Sequence, residues 1–224
     1  KLVHVRPGNP LYLLLAALLP AAIAFATLLV CLQQGWGASS YFTEAATGAN
    51  ILRGPWVLGS GPQSWALFAL NVAVTAITFA CLNGLAAVGE EFGWRGVLQH
   101  HLIERMGYWR GVAVLGFVWG IWHVPVNLAG YNYSDAPVWG ALVAFPVELV
   151  AVSFIMAWLT IRARSFWPAV LMHGSGNGIE DGVVSSIQLA TGVAPLTAEY
   201  VQLAITIGLA IACAVMTKRQ AVSS

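Results

Sequence analysis

Three groups of ionisable and polar residues interrupt otherwise apolar stretches of this 224-residue sequence. They are Glu90, Glu91 and Arg95, then His123, then His173 and Asn177. An ionisable side chain at the centre of a membrane helix costs at least about 2.5 kcal/mol, so each one needs a partner or a function. Carboxylates and imidazoles are the common general acids and bases of enzymes, and they also serve as proton relays. These residue types therefore indicate either acid–base catalysis or proton transfer inside a membrane.

The first group contains two adjacent carboxylates whose surroundings are expected to differ. Glu91 and Arg95 are four residues apart, so on a helix they share a face and form an ion pair. Glu90 points about 100° away from Glu91 and lacks this partner, which makes it the candidate general base. The alternative is a solvated charge cluster at the cytoplasmic end of a helix.

The two histidine groups also allow a structural explanation beside a functional one. His123 is either a hydrogen-bonded core histidine or part of a site, and Pro125 favours the site because a broken membrane helix commonly lines a cavity. His173 and Asn177 are four residues apart and are expected on one helix face. The small residues between them allow close approach of another helix or of a substrate. Their alternative role is a hydrogen bond between helices.

Composition indicates that lipid is part of the solvent around this chain. Hydrophobic residues make up 58% of the sequence and charged residues only 8%, against about 25% charged in soluble domains. The net charge of +1 indicates no nucleic-acid partner. The three cysteines, Cys31, Cys81 and Cys213, stand singly and predict neither disulfides nor zinc ligation.

Hydropathy predicts an all-α, multi-spanning transmembrane helical bundle. About six spans are expected, at residues 11–32, 65–88, 111–128, 138–161, 166–190 and 200–216. Residues 90–110 form an amphipathic segment that continues the second span and then turns along the interface. Residues 33–64 are rich in Gly, Ser, Thr and Pro and are predicted to form a loop.

Basic residues predict that both termini are cytoplasmic, because cytoplasmic loops carry an excess of Lys and Arg. With six spans, only Arg53 falls on the opposite side. The residues on the cytoplasmic side are Lys1, Arg6, Arg95, Arg105, Arg110, Arg162, Arg164, Lys218 and Arg219. In a bacterial cell the host membrane would be the plasma or inner membrane.

Taken in order, the three groups resemble the CPBP family, which includes CAAX prenyl endopeptidases and bacteriocin-processing or immunity proteins. The family pattern is Glu-Glu-x-x-x-Arg, then Phe-x-x-x-His, then His-x-x-x-Asn. This sequence departs from it at Trp119, which stands where the family has Phe. The similarity covers roughly residues 65–190. It predicts a catalytic core there, preceded by a first span and loop at 1–64 and followed by a last span and cytoplasmic tail at 191–224.

The resemblance implies an intramembrane endopeptidase with four catalytic residues. Glu90 and His123 would hold and deprotonate a water, His173 and Asn177 would donate hydrogen bonds to the oxyanion, and Glu91 with Arg95 would support the helix. If a divalent metal such as zinc participates, its ligands would be Glu90, His123 and His173. The sequence has no His-Glu-x-x-His motif, so water activated by glutamate without a metal is equally consistent.

The expected partners are membrane lipid and a peptide or prenylated protein C-terminus as the substrate. Two other functions remain open. One is a non-enzymatic membrane scaffold or immunity protein, and the other is a proton-coupled transporter, although no inverted repeat is found. Glu148 in the fourth predicted span has no assigned role. Glu180 and Asp181 follow Asn177 by about one helical turn.

Overall fold

A computed structural model describes residues 6–221 of the chain, with side chains described as far as Thr217. Lys1, used in the charge comparison above, lies outside the described residues, as do the side chains of Lys218 and Arg219. Helices make up most of the described chain. They are α1 Pro10–Gln33, α2 Trp65–Glu91, α3 Gln99–Met106, α4 Tyr108–Trp122, α5 Val124–Leu128, α6 Pro137–Trp139, α7 Phe145–Ala163, α8 Trp167–Ser175, α9 Asp181–Ser185 and α10 Thr197–Ala221.

Among residues 6–221, the structure has three π-helical segments, two of which contain or adjoin predicted site residues. They are π1 Phe92–Leu98, π2 Gly140–Ala144 and π3 Gly176–Glu180. π1 begins immediately after Glu91, and π3 contains Asn177. A π turn inserts an extra residue into the helical repeat and is frequent at functional sites. Each segment therefore re-aims the side chains that follow it without ending the helix.

The all-α, multi-spanning class predicted from hydropathy is confirmed. Among the described residues, four helical stretches are long and apolar enough to cross a membrane. These are Pro10–Gln33, Trp65–Met106, Pro137–Ala163 and Thr197–Thr217. The other two predicted spans correspond to interrupted helices, since α4 and α5 are separated at His123 and α8 continues through π3 into α9. The chain is an integral membrane protein.

The prediction of a loop at residues 33–64 was wrong. This region contains β1 Gly37–Ser39, β2 Phe42–Ala45, β3 Gly48–Ile51 and β4 Gly61–Ser64. β2, β3 and β4 form an antiparallel sheet, and β1 pairs with β5 Ile187–Leu189, where the fifth span had been expected to continue to residue 190. Gly48 shows why the glycine-rich composition of this region wrongly predicted a loop. A Cβ there would overlap the main chain of Gln63, so glycine here permits strand pairing rather than a loop.

The chain divides into two compact units. Residues 6–12, 89–169 and 203–221 belong to the first, and residues 13–88 and 170–202 belong to the second. The second unit has an apolar core to which α1, α2, β3 and α9 all contribute. Its members include Leu28, Ile51, Phe68 and Val183, each 7% exposed or less. The first unit is built around α3, α4 and α7.

Two features of the first unit bring its helices into close contact. Gly107 has a positive φ of 77°, which favours glycine and lets the chain reverse between α3 and α4. On α4, the Cβ positions of Gly116 and Gly120 would each lie 2.5 Å from a Cα atom of α7, those of Val150 and Pro146. Small residues four apart allow two membrane helices to pack backbone to backbone. This packing positions α4, which carries Trp119 and ends directly before His123.

Replacing Gly116 with alanine is expected to destabilise the first unit by about 1–3 kcal/mol, because the new methyl group meets the α7 main chain and α7 must shift. The measurement is thermal unfolding in detergent. Gly208→Ala is the matched control, since nothing lies within 4 Å of a Cβ at Gly208 in α10. Its melting temperature should stay equal or rise. Equal melting temperatures for wild type and Gly116→Ala would contradict tight α4–α7 packing.

Candidate active site

A fully buried ion pair lies at the junction of α2 and π1. Arg95 Nη1 donates hydrogen bonds of 3.0 Å to both carboxylate oxygens of Glu91, and both side chains are 0% exposed. Arg95 Nη2 donates a further bond of 3.0 Å to Ser153 Oγ on α7. The predicted pair is therefore present, and it links π1 to α7. Such a buried pair adds little net stability, but removing one partner is costly because the other charge then stays buried without it.

A second hydrogen bond to α7 lies one helical turn beyond Arg95, at the first residue of α3. Gln99 Nε2 donates a 3.0 Å hydrogen bond to Thr160 Oγ1, and both side chains are buried. Arg95 and Gln99 are four residues apart, and their partners Ser153 and Thr160 are seven apart on α7. Both spacings keep residues on one helix face. Sequence analysis did not pick out Ser153 or Thr160, although polar residues at this spacing on an apolar span were a usable signal.

Glu90 points away from the ion pair, as predicted, and meets α4 instead. Trp119 Nε1 donates a 3.3 Å hydrogen bond to Glu90 Oε2. The Trp119 ring is 3% exposed, and the Arg95 guanidinium carbon lies 4.0 Å from its ring centroid. Adjacent carboxylates thus have different partners, an arginine for Glu91 and an indole N–H for Glu90. Of these two carboxylates, Glu90 is the one that accepts no hydrogen bond from a cation among the described residues.

His123 occupies the predicted break between α4 and α5. α4 ends at Trp122 and α5 begins at Val124, so the interruption expected from Pro125 is observed. His123 Nδ1 lies 2.9 Å from the Trp119 carbonyl oxygen. A carbonyl oxygen only accepts, so Nδ1 carries the proton, and the Nε2 of a neutral ring keeps its lone pair. The ring is enclosed by Trp122 and Phe145, at centroid distances of 4.8 Å and 5.1 Å.

The third group lies in the second unit. His173 is half-buried on α8, and Asn177 is exposed within π3. The prediction that the small residues between His173 and Asn177 permit close approach of another helix is confirmed, and that helix is α2. A Cβ at Gly174 would overlap the main-chain nitrogen of Gly84, and Asn83 Nδ2 donates a 3.2 Å hydrogen bond to the Gly174 carbonyl. α2 therefore packs directly against the turn that carries His173.

Two acidic residues without assigned roles have partners. The Tyr133 hydroxyl donates a 2.8 Å hydrogen bond to Glu148 Oε2, which ties the connection between α5 and α6 to α7. In the second unit, Gln202 Nε2 on α10 donates a 2.8 Å hydrogen bond to Glu180 Oε1. Both carboxylates therefore have clear structural roles.

A cavity of about 280 Å³ lies within the first unit. Its lining residues are Arg95, Gly96, His100, Ile103, Thr160, Ile161, Arg164, Ser165 and Phe166. Glu90 and His123 are not part of this lining, so this cavity is separate from the predicted reaction centre. The cavity expected beside the helix break at His123 stays a prediction.

Of the three predicted metal ligands, Glu90 and His123 belong to the first unit and His173 belongs to the second. Among residues 6–221, neither unit groups three His, Cys, Asp or Glu side chains so that they could hold a metal ion. In the first unit, His123 Nδ1 is occupied by a carbonyl, which leaves one ring nitrogen and the Glu90 carboxylate as donors. Two donors do not complete a zinc site, which needs at least three protein ligands. The predicted metal ligands Glu90, His123 and His173 therefore stay a prediction.

These features define a polytopic membrane protein with an ionisable centre on its helices. Residues 72–179 match the family model described as type II CAAX prenyl endopeptidase Rce1-like. A curated relative, CAAX prenyl protease 2 of Methanococcus maripaludis, is 27% identical over 111 residues. That match covers 47% of this chain and 40% of the relative, so it spans less than half of either protein. Together the two comparisons support assignment of this chain to the CAAX-protease family, as the three motifs predicted.

Proposed function

We propose that this protein is an intramembrane endopeptidase whose reaction centre is formed by Glu90, His123, His173 and Asn177. The observation that carries the proposal is that the two adjacent carboxylates, Glu90 and Glu91, have different hydrogen-bond partners. Arg95 pairs with Glu91, whereas the hydrogen bond that Glu90 accepts among the described residues comes from the Trp119 indole N–H, which leaves the second oxygen of Glu90 available to a water. A general base positioned in this way typically contributes 10²–10⁴-fold to the rate. The family match over residues 72–179, which contains all four residues, supports the same assignment.

In the proposed reaction, Glu90 removes a proton from a water molecule while His123 Nε2 accepts the second hydrogen bond of that water. The water oxygen attacks the peptide carbonyl carbon, and the carbonyl oxygen becomes an oxyanion. His173 and Asn177 donate hydrogen bonds to this oxyanion. Glu90 then returns the proton to the leaving nitrogen as the C–N bond breaks. The products are a carboxylic acid and an amine, between which a proton passes to give carboxylate and ammonium, and Glu90 is regenerated as the carboxylate.

The proposed substrate is a peptide or protein C-terminus held at the membrane surface, and the name of the Methanococcus maripaludis relative suggests a prenylated one. We further propose that both termini are cytoplasmic. This orientation rests on the excess of Lys and Arg on one side of the predicted spans. It would present the reaction centre to substrates made in the cytoplasm.

The proposal is tested with purified protein in detergent and a panel of fluorogenic peptides. The panel contains one CAAX-type peptide with and without a prenyl group, and each is also incubated with Glu90→Gln protein and with a chelator. Cleavage by wild type that is lost in Glu90→Gln supports the endopeptidase. Cleavage that persists in Glu90→Gln would instead point to a contaminating protease. Loss of cleavage with the chelator, restored by zinc, would show that a metal takes part.

A further inference from the structure

Trp119 contacts all three parts of the first-unit site. Its indole N–H donates to Glu90 Oε2 at 3.3 Å, and its main-chain carbonyl bonds His123 Nδ1 at 2.9 Å. The face of its ring lies against Arg95, with the guanidinium carbon 4.0 Å from the centroid. The side chain is 3% exposed, so packing fixes its orientation. One residue thus links the candidate base, the candidate histidine and the buried ion pair.

The indole ring makes a contact that the family's phenylalanine cannot make. A phenyl ring would retain the packing and the contact with the Arg95 cation, but it has no N–H to donate. The indole N–H occupies one oxygen of Glu90 and so restricts rotation of the carboxylate about its last bond. The other oxygen of the Glu90 carboxylate is then held in one direction. A hydrogen bond from a neutral donor to a carboxylate is charge-assisted and stronger than a neutral pair.

The main chain of Trp119 acts on His123 in a different way. Its carbonyl oxygen holds the Nδ1 proton, which selects the tautomer with the lone pair on Nε2. This contact does not depend on which side chain stands at position 119. The side-chain and main-chain contributions can therefore be separated by substitution.

We propose that Trp119 is a positioning residue that orients the Glu90 carboxylate through its indole N–H and fixes the His123 tautomer through its carbonyl. This inference rests on the proposed endopeptidase function for its kinetic consequence, but the Trp119–Glu90 contact can be measured without activity. Trp119 does not touch the reacting atoms in this scheme. It acts through Glu90 and His123.

The kinetic test compares Trp119→Phe with wild type on a peptide that wild type cleaves. Loss of one charge-assisted hydrogen bond is expected to lower kcat about 10-fold while KM stays within about twofold. Trp109→Phe is the matched control, since Trp109 lies on the same helix and is 43% exposed. It should keep the wild-type kcat. A wild-type kcat in Trp119→Phe, or an equal loss in Trp109→Phe, would overturn the proposal.

A second measurement keeps the proposal testable if no peptide in the panel is cleaved. In protein labelled with ¹⁵N at tryptophan, the Trp119 indole N–H signal is identified by its absence in Trp119→Phe. Glu90→Gln replaces the charged acceptor with a neutral amide, so this signal should shift, whereas Glu104→Gln should leave it in place. An unchanged signal in Glu90→Gln would overturn the contact. Absent cleavage with a shifted signal would count against the endopeptidase and not against the contact.

Discussion

Replacing Glu90 with glutamine is expected to lower kcat for peptide cleavage by about 1,000-fold, within the range typical of a lost general base. Glutamine has nearly the same shape and can still accept the Trp119 N–H, but it cannot take a proton from water. KM should change little, because the carboxylate acts on the water and not on the bound peptide. The melting temperature in detergent should also stay close to that of wild type, since Glu90 is not part of the buried ion pair.

Glu104→Gln is the matched control for this experiment. Glu104 is an exposed glutamate on α3, in the helical stretch that continues from α2, and the same chemical change there should leave kcat unaffected. A Glu90→Gln enzyme with more than about a tenth of wild-type kcat would remove Glu90 from the role of base. His123→Ala would then be the next variant, since its Nδ1 is held by the Trp119 carbonyl and the Nε2 of a neutral ring keeps its lone pair.

Replacing Arg95 with methionine is expected to lower the free energy of unfolding by about 3–5 kcal/mol. The variant leaves the Glu91 carboxylate fully buried without its cation, and it also removes the hydrogen bond to Ser153. Breaking one side of a buried pair is costly because the remaining carboxylate loses its cation and stays out of water. Thermal unfolding in detergent measures the effect. Arg105→Met, an exposed arginine on α3, is the matched control and should unfold close to wild type.

A double variant separates the lost charge balance from the lost packing. In Glu91→Gln with Arg95→Met no unpaired charge is buried, so much of the stability lost in Arg95→Met should return. A double variant no more stable than Arg95→Met would mean that packing and the Ser153 bond hold this region together, and not charge pairing. Activity of the double variant, if it folds, would show how far Glu90 depends on this support.

Local spacing was sufficient to predict the parts of the site that lie close together in the chain. Glu91 and Arg95 pair because four residues bring two side chains to one helix face, and this holds whatever surrounds the helix. Glu90 is one residue before Glu91, so it lies on a different face of the helix. The helix break at His123 follows from the missing N–H of Pro125. The family assignment rested on these short patterns as well, and the comparisons support it.

Contacts between distant parts of the chain were not predictable in the same way. Trp119 and Glu90 are 29 residues apart, and Arg95 and Ser153 are 58 apart. Their meeting depends on the reversal at Gly107 and on the close packing of α4 on α7 at Gly116. The strands in residues 33–64 were missed because their pairing depends on main-chain hydrogen bonds and small residues, not on a side-chain pattern.

The amino-acid sequence by itself determined that this protein spans a membrane, because so little charge cannot cover a soluble surface, and that Glu91 and Arg95 form a pair while Glu90 does not join it. Only the tertiary structure decided what Glu90 does meet. The indole of Trp119 reaches it from another helix, and no helical periodicity encodes which residue of α4 will face which residue of α2. Helix faces follow from local geometry, whereas partners across an interface follow from how the backbones pack.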